Sequence, residues 1–117
     1  MSDKPLYAYH CRPGYGSENL LIEFIRGTET STFTTDVLDA LQEILPTVAG
    51  LEDLWMNDEI IYSINSVFGS FTLSKDIWDF AFIMADMNQP CIVRIDAILL
   101  ADKRFEKINV NFDDYKT

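Results

Sequence analysis

The sequence predicts an α+β fold, an antiparallel sheet of about five strands with two helices packed on one face. Three observations carry this. Short runs rich in β-branched and aromatic residues recur with few residues between them, as in a meander. Residues 34–45 repeat apolar positions with a helical period and stop at Pro46. A further apolar stretch, residues 90–101, follows the helix-start signal Asn88-Gln89-Pro90. With 117 residues the chain is read as a single domain, residues 1–117, large enough for one core. Its 48% hydrophobic content excludes a disordered chain.

Residues 5–11 alternate loosely and are rich in tyrosine, which reads as a strand. Pro13-Gly14-Tyr15-Gly16-Ser17 is a turn cluster, and NLLIEFIR (residues 19–26) is a second strand, so the chain should open with a hairpin. The first helix begins at Thr34 or Thr35, either of which can cap it, with Asp36 in the first turn where the dipole favours a carboxylate. Val37, Leu38, Leu41, Ile44 and Leu45 share about 120° of arc, and Asp36, Asp39 and Glu43 share about 60° on the opposite side. Pro46 ends it by excluding the residue before it from the α region. Residues 60–66 and 70–74 read as strands around a bend at Phe68-Gly69.

The stretch SKDIWDFAFIMADMNQP (residues 74–90) admits two readings. As a helix it would gather Lys75, Asp76, Asp79 and Asp86 on about 100° of arc and be apolar over the rest. As a strand it points Trp78, Phe80, Phe82 and Met84 one way and Ala81, Ile83 and Ala85 the other, the pattern of a central strand buried on both faces. Length and aromatic content favour the strand. After it, Asn88 can cap a helix with Pro90 in its first turn and Cys91, Ile92, Ile95, Ile98 and Leu99 on one face. A strand with Cys91, Val93, Ile95, Ala97 and Leu99 facing inwards stays open for the same residues. Residues 105–112 form a last extended segment.

Catalytic and metal-binding patterns are absent from the sequence. His10 and Cys11 are adjacent, so on a strand they face opposite ways and cannot pair as imidazole and thiolate. Cys11 and Cys91 read as buried thiols rather than a bridge. There is no CxxC, HExxH or calcium-loop spacing, and no cofactor is implied. RPGYGSEN lacks the lysine and following helix of a phosphate loop and reads as a hairpin loop. The apolar runs are too short to cross a bilayer, and the first ten residues lack a signal-peptide pattern. A soluble cytoplasmic protein is expected.

Charge is the informative feature. Nine basic against nineteen acidic residues give a net charge of −10, and residues 27–74 contain no lysine or arginine. Eight carboxylates fall there, and such a field repels nucleic acid and anionic lipid and attracts a cationic partner. Asp36, Asp39 and Glu43 on the helix, with Glu52, Asp53, Asp58 and Glu59 around Trp55, are the candidate partner-binding residues. An aromatic anchor among carboxylates is a frequent form of interface hot spot, and the charge accelerates encounter with a basic target. Trp55 between Leu54 and Met56 reads equally as core, and the helix carboxylates equally as a solvated face.

The run ILLADKRFEKINVNFDDYK, with Leu99, Leu100, Phe105, Lys107, Val110, Phe112 and Tyr115, resembles the ends of small acidic bacterial immunity proteins that neutralise polymorphic or contact-dependent toxins. The resemblance spans the last quarter of the chain. It implies a non-enzymatic inhibitor and a cognate basic toxin, often a nuclease, whose active surface is occluded. Two other readings compete: a nucleic-acid mimic that titrates a DNA-binding protein through regularly spaced carboxylates, and a small enzyme or ligand-binding domain with a pocket near His10.

Overall fold

The computed structural model describes residues 5–54, 56 and 58–115. In chain order the elements are β1 (Tyr7–Pro13), β2 (Leu20–Arg26), α1 (Phe33–Ala40), β3 (Thr47–Leu54), β4 (Glu59–Ser66), β5 (Gly69–Asp76), β6 (Ala81–Met84), α2 (Gln89–Ala101) and β7 (Phe105–Lys107). The strands make one sheet in the order β3-β4-β5-β6-β2-β1-β7. The α+β class holds, but the sheet has seven strands and is mixed, because β7 runs parallel to β1 while the other pairs are antiparallel. The parallel pair follows from α2. After β6 the helix carries the chain back across the sheet, past β2 and β1, and sets β7 down at the far edge.

Both helices cover the same face. Tyr7 and Tyr9, two apart on β1 and therefore on one side of it, reach α1 and α2 respectively. The Tyr7 hydroxyl donates to Asp36 Oδ2 at 2.5 Å, and its ring packs edge-on against Phe33. The Tyr9 hydroxyl donates to Asp96 Oδ1 at 2.9 Å, and Lys107 Nζ donates to the same carboxylate at 2.8 Å. The core between these layers is built from Ile22, Phe24, Leu73, Ile83, Ile92 and Ile95 among others, all nearly or fully buried. Alternation along each strand sends these side chains to the helices and leaves Leu21, Glu23, Phe82 and Met84 on the opposite, uncovered face.

Within the stretch from 74 to 90, residues 74–76 end β5, the central strand β6 spans four residues, and α2 begins at Gln89. Burial falls on one face rather than on both as expected. Ala81, Ile83 and Ala85 are the buried set, whereas Trp78 is 63% and Phe80 56% exposed. Trp78 precedes the strand, and Asp79 takes a left-handed φ of 65°, so the chain turns there rather than extending.

The first helix is shorter than expected. It ends at Ala40, passes into a 3-10 turn at Gln42–Ile44, and stops with Leu45 left-handed before Pro46. Val37, Leu41 and Ile44 stay buried, but this unwinding swings Leu45 into solvent. Thr32, rather than Thr34 or Thr35, holds the cap position, and its hydroxyl donates to Asp36 Oδ2 instead of receiving a backbone N–H. Residues 89–101 resolve as helix, with the five expected residues buried. Asn88 precedes α2 without capping it. Its side-chain amide donates to the Phe68 and Ser70 carbonyls, tying the helix start to the β4–β5 turn. Gly69 permits this contact, since its φ of +98° and the Asn88 amide nitrogen 2.5 Å from where a Cβ would stand both exclude a side chain. The last extended segment is strand at Phe105–Lys107 alone, followed by a 3-10 turn at Phe112–Tyr115.

Candidate functional site

The helix carboxylates of the expected binding surface are engaged within the chain. Asp36 accepts the Tyr7 and Thr32 hydroxyls. Asp39 pairs with Arg104 at 3.0 Å, and Glu43 pairs with Arg94 of α2. Arg104 also clasps Asp102, and its hydrogen bonds hold that carboxyl below the usual carboxylate range. These residues thus bridge α1 to α2 and the turn after it. Their negative field is largely matched by arginines that lie far away in sequence.

Asp53, Asp58 and Glu59 are brought together elsewhere. Register places the ends of β3, β5 and β2 beside the starts of β4 and β6, at one end of the sheet: Leu54 opposes Glu59, Glu59 opposes Asp76, and Ala81 opposes both Lys75 and Phe24. Here Asp53, Asp58, Glu59, Asp76 and Asp79 line an open concavity of ≈ 570 Å³ with Lys75 as its one basic residue. Among the described residues, Asp53, Asp58 and Glu59 make no ion pair, and Lys75 approaches Asp79 at 3.9 Å. Asp58 adopts a left-handed φ of 53°, a conformation that aspartate tolerates better than most residues. Glu52, one residue before Asp53 on a strand, faces the other side of the sheet beside Ile61 and does not join the concavity.

Sequence reasoning missed the turn that borders this concavity. Ile77, Trp78 and Phe80 are more than half exposed, yet their backbone is tightly held. Asp76 Oδ1 accepts the N–H groups of Trp78 at 2.9 Å and Phe80 at 3.0 Å, so the carboxylate builds the turn. The Ile77 N–H donates to the Asp58 carbonyl, and the buried Thr28 hydroxyl donates to the Asp79 carbonyl at 2.6 Å. Trp78 and Phe80 also line a second concavity of ≈ 330 Å³ with Ile25, Arg26 and Glu29, and Asp79 borders both. The signal was present in the sequence: Asp76 and Asp79, a residue type that favours turns, flank Trp78. Trp55 lies outside the described residues.

Among the described residues, none at this end of the sheet is a histidine or cysteine. His10 lines neither concavity; it sits on the uncovered face 3.8 Å from Glu23, whose carboxylate Arg12 holds at 2.8 Å. Cys11 and Cys91 are free and buried, and burial raises both thiols, Cys11 to about 11. Among the described residues no group of three or more histidine, cysteine or carboxylate side chains is arranged to hold a metal ion. No helix is long and apolar enough to cross a membrane. What the arrangement can do is hold cationic groups against carboxylates beside exposed aromatic rings on a hydrogen-bonded turn.

No family model matches the chain, and no curated protein or solved structure matches it either.

Proposed function

We propose that this chain is a non-enzymatic acidic binding protein of the immunity type, acting in the cytoplasm. It neutralises a basic toxin or effector by covering that protein's active surface. The reading is supported above all by one observation: unpaired carboxylates at the sheet end adjoin an exposed but rigid Ile77-Trp78-Asp79-Phe80 turn. Carboxylates without an ion pair among the described residues attract a cationic surface over a Debye length, and a turn whose backbone is already fixed loses less entropy on docking. The partner-binding residues on this reading are Asp53, Asp58, Glu59, Trp78 and Phe80, with the helix carboxylates serving the fold.

The test is co-expression with the product of an adjacent toxin-like reading frame, scored by cell survival and by co-purification at rising salt. Rescue together with a complex that salt weakens is expected. Trp78→Ala combined with Phe80→Ala should abolish rescue, since central aromatic anchors carry about 2 kcal/mol or more each. Asp39→Asn combined with Glu43→Gln should leave rescue intact. Rescue without a complex, or rescue lost through the helix pair and kept through the aromatic pair, overturns the proposal.

A further inference from the structure

The two edges of the sheet are finished differently. β7 is three residues long and half-buried, with the chain folding back across β1 after it. β3 is eight residues long and exposed along nearly its whole length. Among the described residues, its backbone bonds within the sheet go to β4, and residues 47–54 make no other backbone hydrogen bond. One row of N–H and C=O groups therefore faces outwards. Such an edge is a template for another strand, and proteins blunt it with short length, proline, a bulge or charged side chains, the last of which exclude guests of like charge. β3 has neither lysine nor proline, and its one irregularity is a register shift at Ala49.

We propose that the free edge of β3 takes an extended lysine- or arginine-rich strand of the protein partner as an eighth strand of the sheet. This rests on the reading of the chain as a binder of a basic protein, and it names how part of that partner is held. The side chains define the guest. On the helix side Val48 is 45% and Leu51 60% exposed, ready to pack against an apolar residue. Glu52 points to the opposite face and Asp53 back to the helix side, so both faces of the guest meet a carboxylate near this end. The same charges select against a second copy of this chain. Residues 27–74 hold no lysine or arginine, so a copy of β3 would bring two more carboxylates and no cation to oppose them. Like charges across a strand pair destabilise it, and opposite charges stabilise it.

The probe is a ten-residue peptide of alternating lysine and valine, compared with an alternating glutamate–valine peptide by fluorescence anisotropy and by amide exchange. Binding at least tenfold tighter for the lysine peptide is expected, with exchange slowed at residues 47–54 and affinity falling as salt rises. Of two lysine peptides N-methylated on alternate residues, one should lose binding, because it can no longer donate to the edge. Glu52→Lys with Asp53→Lys should reverse the preference. No binding at millimolar peptide, equal binding of both N-methylated forms, or protection away from β3 overturns the proposal. A dimer of the chain alone with residues 47–54 protected overturns it in favour of a second copy. A basic partner that binds with these amides unprotected removes the edge site and leaves the proposed function. A lysine peptide docked on β3 without rescue from any toxin does the reverse.

Discussion

Replacing Glu59 by glutamine should make the protein more stable, although it removes a residue assigned to the binding surface. Glu59 stands directly opposite Asp76 in the β4–β5 ladder. Cross-strand neighbours have Cβ atoms about 5 Å apart. Two carboxylates about 6 Å apart repel by about 0.7 kcal/mol in the dielectric of water, and salt near 0.15 M roughly halves this. Asp53, Asp58 and Asp79 line the same concavity of ≈ 570 Å³; taken at a separation of about 8 Å from Glu59, each adds about 0.2 kcal/mol after the same screening. Lys75 cancels one such increment. Glutamine keeps the shape, so the net gain is about 0.7 kcal/mol, or about 3 °C in Tm for a chain of this size. Thermal unfolding followed by circular dichroism at three salt concentrations checks the origin of the effect. The gain should be roughly twice as large near 0.01 M salt and nearly vanish at 1 M, where the Debye length is about 3 Å. An unchanged or lower Tm, or a gain independent of salt, would refute the view that these carboxylates stand unneutralised at stability's expense. Surfaces kept for binding commonly carry such a cost.

Two further outcomes follow from the buried side. Tyr9→Phe removes the hydroxyl that Asp96 accepts at both its carboxylate and its carbonyl; denaturant unfolding should show a loss of about 2 kcal/mol, the range for a hydrogen bond to a charged group. A loss under 0.5 kcal/mol would mean that Lys107 alone satisfies Asp96. For Cys11, burial and then the Asp96 charge push the thiol up to about 11, so the folded state keeps a proton that the unfolded chain releases near pH 9. The folded state then binds more protons, and stability falls as pH rises from about 9 to 11, by about 2–3 kcal/mol in order of magnitude. Unfolding measured across this window should show a shallower decline in Cys11→Ala, and an identical decline would remove Cys11 as its source.

The legible parts of the fold are those in which local pattern and burial agree. NLLIEFIR reads as strand and its alternate residues Ile22 and Phe24 meet the core, whereas residues 90–101 fit both periods and burial of Cys91, Ile92, Ile95, Ile98 and Leu99 selects the helix. β3 escaped notice because TVAGLEDL has a glycine, two acids and no clear alternation, and an exposed edge strand needs none. In the candidate site, the acids around residues 52–59 stood out by charge, but their pairing state could not. Asp39 and Glu43 are matched by Arg104 and Arg94, more than fifty residues away, whereas Asp53, Asp58 and Glu59 meet no such base among the described residues. Trp78 and Phe80 read as core in the sequence because alternation continues through Ala81; the left-handed turn at Asp79 that exposes them is fixed by the Thr28 hydroxyl, which donates to the Asp79 carbonyl, and by Asp76, whose carboxylate accepts the Trp78 N–H.

By itself the amino-acid order determined the α+β class, the excess of negative charge between residues 27 and 74, and the absence of a recognisable catalytic pattern. These depend on composition and on neighbours within a few turns or strand steps. The tertiary structure alone decided which carboxylates are neutralised, which aromatic rings reach solvent, and which strand is left as an open edge. Each of those depends on register and on contacts between distant segments, and a one-residue change in register would turn every side chain of a strand to the other face.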